Sequence, residues 1–569
     1  MLPADNFALF IATNSVAAVF KKALYLPSQA ILHSMNLMLS ISRRSTMSIR
    51  KTVLLYCAPL LFFSCAASAE PLTATALFTL GETCQQNGRF LEALSFYRDV
   101  LLNSGPKGVP AVLYKNMGDI YYGYLEGYEQ ALACYRKQVA TYSALPCTPD
   151  VHLRIARILF LQGLTEQSRA HYRFIRSSFP DYVKNSSVAE ELRRAEKKEP
   201  PVISGMVSIE QPLPLYIRVL LKDDAEPAEL SAPGGLHVYT DRQGLLLTIT
   251  GGTLLYCRPG KDGIAIDNHA AAKTPLRIEA AAETGIQVNK KMYRGAVWAY
   301  LREGRLVLVN QVVLEEYLYG VLAKEVPASW PQAALQAQAI AARTYALYNI
   351  LKRNTELFDV FATTASQAYG GQDSEKTSSR TAVDETHGLV LSHAKKLALT
   401  LYHANSGGLT EAPEDIWGWP APYLAAKTDE FSRSMKNSLW DGTLAADALT
   451  GHLQQAGFPV PSVETITPLA RDRSGRITRL ALREGTTTAY LSGNSFRLLA
   501  GPARIKSAHF TVARNKQSFI FNGRGYGHGV GMSQWGACNM ARQGYRAEQI
   551  LQWYYPGTTI VKVRYQNNE

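Results

Sequence analysis

Hydrophobic and polar positions alternate in three regimes along the chain. Between residues 77 and 182 the pattern is helical and internally repetitive. The segments EALSFYRDV, EQALACYRKQV and EQSRAHYRFI set Tyr97, Tyr135 and Tyr172 in equivalent positions, 38 and then 37 residues apart. Gly88, Tyr124 and Gly163 fall near the turns that precede the second helix of each unit. This period predicts a small solenoid of helical hairpins over 70–184. A charged stretch ending in two prolines (185–201) reads as a linker. From 202 to 313 the runs at 216–221, 245–255, 296–301 and 306–309 are short and apolar or alternating, which predicts a β-rich subdomain packed on the two helices after it.

The third regime, 314–569, mixes both periods. Leu314, Leu318 and Leu322 predict a helix over 314–324, and Pro327 disfavours helical geometry at Val326. A second helix follows at once. Ser329 and Gln332 have capping-box spacing, Pro331 fits a first turn, and Leu335, Ala339, Ala342 and Ala346 form one small face. Beyond a polar, glycine- and aromatic-rich stretch (358–422), residues 443–500 read as a small helical then β insertion with a helix at 492–498. A strand is expected at 510–520 and helices at 537–542 and 547–554. The expected fold class is therefore multidomain: α-helical hairpin repeats, then a mixed α+β region with a β-rich subdomain.

At 569 residues and 47% hydrophobic, the chain can build several cores. Its net charge of +13 suits a polyanionic partner, but Lys and Arg form no dense basic arm, so nucleic acid is not expected. Arg50 and Lys51 precede an apolar run that ends in Ala67-Ser68-Ala69, which predicts a secretory signal over 47–69 and export to the cell envelope or periplasm. Met47 as the true start would make 1–46 a non-native extension. A lipoprotein at Cys65 or a membrane anchor is the competing reading. The five remaining cysteines are too few and too scattered for a disulfide scaffold or a zinc knuckle, and both buried thiols and one Cys84–Cys134 or Cys134–Cys147 bridge stay open.

The chemistry centres on Glu325. It sits at a corner between two helices, where the carbonyl end of the first and partial burial both favour the protonated acid that can donate to a leaving oxygen. The alternative is a solvated helix-end glutamate. A glycine ladder from Gly523 to Gly536 has neither mononucleotide nor dinucleotide spacing; its glycines alternate with Arg524, Tyr526, His528 and Gln534 and suit a groove for a long polar ligand. A tightly turned structural loop around a hydrogen-bonded His528 carries similar weight. Tyr402, His403, Asn405 and Ser406 form a second polar patch, in which Ser406 lacks a nucleophile elbow or a triad order. His403 and His528 are the weak metal candidates, with Glu414 or Asp415; no metal and no cofactor are expected. Trp330, Tyr369, Trp417 and Trp535 are sugar-stacking candidates, with core packing the competing role of each.

Five blocks together resemble the SpoIID/LytB family of stage II sporulation protein D and amidase enhancers. They are YRG at 293–295, VVLEEYLYGVLAKEVPASWPQAALQAQAIAARTYAL at 312–347, SQAYGG at 366–371, YHANSGG at 402–408, and GRGYGHGVGMSQWGA at 523–537 with YYPGT at 554–558. The helical hairpins resemble tetratricopeptide repeats, which implies a surface for a peptide or protein partner or a structural spacer. The family resemblance implies a lytic transglycosylase acting on peptidoglycan glycan strands stripped of stem peptides, with Glu325 as catalytic residue. Glu325 would protonate the oxygen between N-acetylmuramic acid and N-acetylglucosamine, leaving a 1,6-anhydro end. Arg343, Tyr369, Tyr402, His403, Asn405, Ser406, Arg524, Tyr526, His528, Gln534 and Trp535 would bind glycan or support the transition state. A hydrolase would need a second acid, for which Asp384, Glu411 and Asp415 are the candidates. Family members that bind zinc use cysteine near the segment where Asn405 and Ser406 stand, so zinc is not implied. The rival implication is a glycan-binding enhancer of a separate cell-wall amidase.

Overall fold

Three helical hairpins open the structure. Helix α1 (Glu70–Gln86) pairs with α2 (Phe90–Asn103), α3 (Leu113–Asp119, continued by a π-helical turn over Ile120–Tyr124) with α4 (Tyr128–Thr141), and α5 (Thr148–Leu161) with α6 (Thr165–Ser178), before a short α7 (Pro180–Lys184). The recurring tyrosines have a steric reason. A Cβ at Gly81 would lie 2.4 Å from the Tyr97 ring and one at Gly118 2.6 Å from the Tyr135 ring, so a glycine on the first helix lets the ring of the second close the hairpin. Tyr172 packs instead with Leu153, Ala156 and Ile175. This computed structural model describes residues 70–566, apart from 106–107, 185–188, 190, 192, 194–209, 213–214, 241–243, 262, 268, 273–274, 353–354, 437 and 461. The signal at 47–69, the extension at 1–46 and most of the linker at 185–201 lie outside the described residues.

The hairpins do not form a detached spacer. Asn103 Nδ2 donates to the Tyr490 carbonyl (2.6 Å) while Tyr490 N donates to Asn103 Oδ1 (2.8 Å), an amide imitating a strand partner. Asp99 Oδ2 accepts from Ser492 N (3.0 Å). Tyr121 donates to the Trp417 carbonyl, Tyr348 to that of Tyr124, and Lys352 pairs with Glu126. One apolar core accordingly runs from Leu77 through Tyr348 to Tyr555.

A second core lies under two sheets. The first has the order Val360–Phe361, Tyr216–Asp224, Arg305–Val313, Ala296–Arg302, Leu276–Ala280, Leu236–Thr240, Gly244–Ile249. The second runs Lys291–Tyr293, Ile286–Val288, Ala228–Ser231, Leu255–Pro259, Ile264–Ile266, His269–Ala272. Val297 and Ala299 point inward at the period of two that marked the 296–301 run in the sequence, and Leu236 and Val238 do the same on a strand that the sequence reading did not single out. The β-rich subdomain shares this core with α8 (Leu314–Glu325) and α9 (Gln332–Lys352).

Helix α9 separates the two cores. Leu335, Ala339, Ala342 and Ala346 face the β-rich side, while Ala337, Ile340 and Ala341 join the core shared with the hairpins. A helix apolar on all sides is one buried on all sides. It begins later than its capping-box spacing suggested: Trp330 N closes a turn on the Pro327 carbonyl, and the Pro331 carbonyl accepts from Ala334 and Leu335. Ser329 is therefore a turn residue rather than the cap. The insertion starts at Leu439–Ala445, which pairs antiparallel with Ser518–Arg524, so it is stitched into the strand that feeds the glycine ladder. All five cysteines after residue 69 are free, with Cys84, Cys257 and Cys538 buried. No helix among the described residues is long and apolar enough to cross a membrane.

A shared core predicts shared unfolding. Asn103→Ala leaves both polar groups of Tyr490 without their partner and should cost about 2–3 kcal/mol. Denaturant titrations followed by far-ultraviolet dichroism and by tryptophan fluorescence should move together to a lower midpoint. An early transition confined to the helical signal would contradict the common core.

Candidate active site

Helix α8 ends on Glu325 because the next residue cannot continue it. Val326 is extended (φ −138°, ψ 150°), as the following proline demands, and its N–H still bonds the Leu322 carbonyl. The carboxylate is gripped at both oxygens. Ala368 N–H donates to Oε1 (2.7 Å) and Gln534 Nε2 to Oε2 (3.2 Å). Burial raises the Glu325 pKa above its ordinary 4.5, while these two donors pull it the other way. The side chain nevertheless keeps partial solvent access, as do Tyr345, Tyr402 and Trp535.

The floor beneath it is fixed by Gln367, which is fully buried. Its Nε2 donates to the Tyr402 hydroxyl (3.0 Å) and the Ala342 carbonyl (3.2 Å), and its Oε1 accepts from Tyr317 (3.2 Å). Burial first, and the nearby Glu325 charge second, hold the Tyr402 hydroxyl well above its ordinary pKa, so it stays protonated. Gln534 opens the helix Gln534–Arg542, whose Ser533 cap accepts from Gly536 N (3.2 Å). Trp535 meets the largely buried Trp330 edge-on at 4.9 Å. An acid with a raised pKa, two neutral donors and an aromatic rim can deliver a proton to a bound polar ligand and take one back.

A profile described as "Stage II sporulation protein" (SpoIID) matches residues 302–393, which take in α8, α9 and the loop that grips Glu325. Stage II sporulation protein D of Bacillus subtilis (strain 168) is 30% identical over 267 residues, 44% of this chain and 75% of that protein. The chain belongs to the stage II sporulation protein D family. An uncharacterized protein of Brachyspira hyodysenteriae is 30% identical over 356 residues, covering 62% of this chain and 95% of its own length. The amidase enhancer of Bacillus subtilis (strain 168) is 30% identical over 288 residues, 43% of this chain and 40% of that protein. A domain of unknown function (DUF8618) matches 439–531, the insertion together with most of the glycine ladder.

In this sporulation protein D relative, the remaining sequence candidates divide by where they are held. Arg343 is fully buried and forks onto Glu315 (2.8 and 2.7 Å), with further bonds to the Val383 and Leu389 carbonyls; it braces α9 and is sealed from any glycan. Tyr369 is buried, donates to Asn310 (3.0 Å) and packs on Tyr317. Asn405 spends its amide on the Ser432 and Lys436 carbonyls and on Gly407 N–H, and Ser406 bonds Asp429 (2.7 Å) in the interior. Trp417 is buried against His528. These side chains are structural because their polar atoms or faces are already taken.

His403 and His528 lie 5.7 Å apart, and burial keeps both neutral, His528 at about 3. Among the described residues no group of three or more His, Cys, Asp or Glu could hold a metal. His403 follows Tyr402 on a two-residue strand paired with Met532–Ser533, so the two side chains point to opposite faces. His403, with His528 beside it, therefore points away from the face that Tyr402 occupies. Arg524 is exposed and Tyr526 is half-buried under Lys506. The ladder is a packing device rather than an open groove: a Cβ at Gly527 would strike His403, one at Gly529 Arg476, and one at Gly531 the Leu401 carbonyl.

Of the second-acid candidates, Asp384 accepts from Tyr319, Glu411 is buried against Ser474 and Arg476, and Asp415 lies 4.0 Å from Arg473. Sequence reasoning missed Tyr345, whose ring stands 6.5 Å from that of Tyr402, as well as Gln367 and the Ala368 N–H. The last two lie inside SQAYGG, where the motif was visible but a backbone donor has no letter of its own.

A raised carboxyl pKa has a signed consequence. Between the unfolded value and the higher folded one, the native state holds a proton the unfolded chain has lost, so stability falls as pH rises through that window. Glu325→Gln should match the native protein in thermal melts at pH 4 and exceed it at pH 7. A lower melting temperature for the variant at pH 7 would mean that the ionised carboxylate is favoured in the fold.

Proposed function

We propose that this protein is an exported lytic transglycosylase that cuts the N-acetylmuramic acid–N-acetylglucosamine bond of peptidoglycan glycan. The observation that carries the reading is a single acid with raised pKa, held by Ala368 N–H and Gln534 and largely but not wholly withdrawn from solvent. The Glu325 O–H gives its proton to the glycosidic oxygen as the C1–O bond breaks. The carboxylate then takes the proton of the muramic C6 hydroxyl as that oxygen bonds C1, closing a 1,6-anhydro ring with no water consumed. One carboxyl serves both transfers, which fits a site where the hydrogen bonds to Glu325 come from Ala368 N–H and Gln534, while Asp384 and Glu411 are engaged by Tyr319 and Ser474. Tyr402 and Gln534 supply neutral oxygens and donors near the developing charge, and Trp535 a stacking edge. The substrate is glycan stripped of its stem peptides. Export through the 47–69 signal would bring the enzyme to that polymer.

The second reading is a glycan-binding enhancer of a cell-wall amidase, favoured by the similarity to the Bacillus subtilis amidase enhancer. The glycine–tyrosine seats of the first two hairpins support repeated units that could receive such a partner.

Stripped glycan strands incubated with the full exported chain should yield 1,6-anhydro ends by mass spectrometry. Glu325→Gln should bind the strands and cut them about 10²- to 10⁴-fold more slowly, and the native rate should fall as pH rises through the Glu325 pKa. Cleavage unaffected by the substitution would remove the assigned acid. Stimulation of a purified amidase that persists in Glu325→Gln, with no cleavage by either protein, would establish the second reading.

A further inference from the structure

An open groove of about 770 Å³ lies on the β-rich subdomain, away from Glu325. Helix α8 carries Glu316 into this groove in its first turn and Glu325 at its last residue, nine positions or about 14 Å further along the axis. Residues 366–372 touch both places: Ala368 N–H holds Glu325, and Gln372 lines the groove. The groove is therefore joined to the acid by a shared helix and loop but cannot reach the bond that Glu325 would cut.

Its lining has a consistent chemistry. Arg277 and Arg294 face Glu279, Glu283 and Glu316, two positive against three negative groups, on a chain whose formal charge is +13. The lining therefore carries no net positive charge, so recognition here falls to hydroxyl and amide groups of a ligand rather than to its carboxylates. Both arginines are paired: Arg294 forks onto Glu375 (2.6 and 3.0 Å), and Arg277 lies over Tyr239 and 3.4 Å from Glu279. Gln311 accepts from Trp298, while Gln372 Oε1 is buried without a hydrogen-bond partner. Small residues keep the walls low, and at Gly295 a Cβ would strike the Gln311 carbonyl. At the rim stands Tyr216, 44% exposed, at a strand end fixed opposite Val313.

The geometry points to a second glycan-binding site, in which the β-rich subdomain holds sugar rings of the polymer remote from the scissile bond. Planar donors and acceptors in fixed pairs suit neighbouring hydroxyls, an exposed ring suits the apolar face of a sugar, and the volume admits more than one ring. A peptide would ask for apolar side-chain pockets that Ala280, Ala281, Ala282 and Ala296 do not make. The inference rests on the glycan reading of the Glu325 site.

Sedimentation of the full exported chain with stripped strands, and calorimetry with a short muro-oligosaccharide, separate the two. Tyr216→Ala, and independently Arg277→Ala, should weaken binding to long strands about five- to tenfold and leave the short oligosaccharide unchanged. A structural defect would lower both equally and would overturn the site, as would unchanged affinity for long strands in both variants. Polyphosphate binding that depends on Tyr216 and Arg277, with glycan binding untouched, would overturn it in favour of an anion. If the native protein binds neither glycan length, the glycan reading itself fails and this site falls with it.

Discussion

The arrangement depends on α9 being buried along two faces at once. Its small residues let the β-rich core approach one side and the core of the hairpins the other, so any displacement of this helix is resisted by both. The helix also carries Arg343, whose charge is taken up by Glu315 on α8. That buried pair fixes α8 against α9, and α8 ends where Glu325 begins to matter. Breaking such a pair leaves an uncompensated charge in the interior, so the loss of either partner is costly and the two helices are tied at this point.

Glu325 sits between opposed influences of comparable kind. Exclusion of water and the carbonyl end of α8 disfavour its charge, while Ala368 N–H, Gln534 and the amino end of the helix that Gln534 opens favour it. Burial is the larger influence, so the acid form persists at higher pH than for a free glutamate. The opposing donors keep the ionised form within reach, which a residue that must give and then recover a proton requires. A carboxyl in a purely apolar pocket would hold its proton too firmly to let it go.

Helices and strands were legible where their periods survive tertiary packing: the leucines of α8 and the alternation at 296–301 lie where spacing put them. Of the three spaced tyrosines, by contrast, Tyr97 and Tyr135 each have a glycine seat and Tyr172 packs in a cluster of its own. The corner at Glu325 was legible for the same reason, since Pro327 acts locally. The docking of the hairpins was not. Asn103 imitating a strand partner for Tyr490 joins residues 387 apart, and no pattern within either segment announces it. Arg343, Asn405 and Ser406 were attractive as polar residues in motif-bearing blocks, yet their partners are buried carbonyls and carboxylates supplied from elsewhere in the chain. Sequence gives the chemistry a side chain could perform, and packing decides whether its atoms are free to perform it.

The glycine ladder is the clearest instance. Alternating glycines with polar residues looks like the lining of a long channel, but Gly525, Gly527, Gly529 and Gly531 all have positive φ, and their missing side chains are filled by protein. The zigzag turns the segment tightly over His403 and Arg476 and delivers Met532 and Ser533 in register with Tyr402 and His403. Ser533 then caps the helix that begins with Gln534, and Gln534 reaches Glu325. The ladder serves the acid without touching it: glycine freedom sets a strand, the strand sets a helix start, and the helix start places one amide against a carboxylate supplied more than two hundred residues earlier.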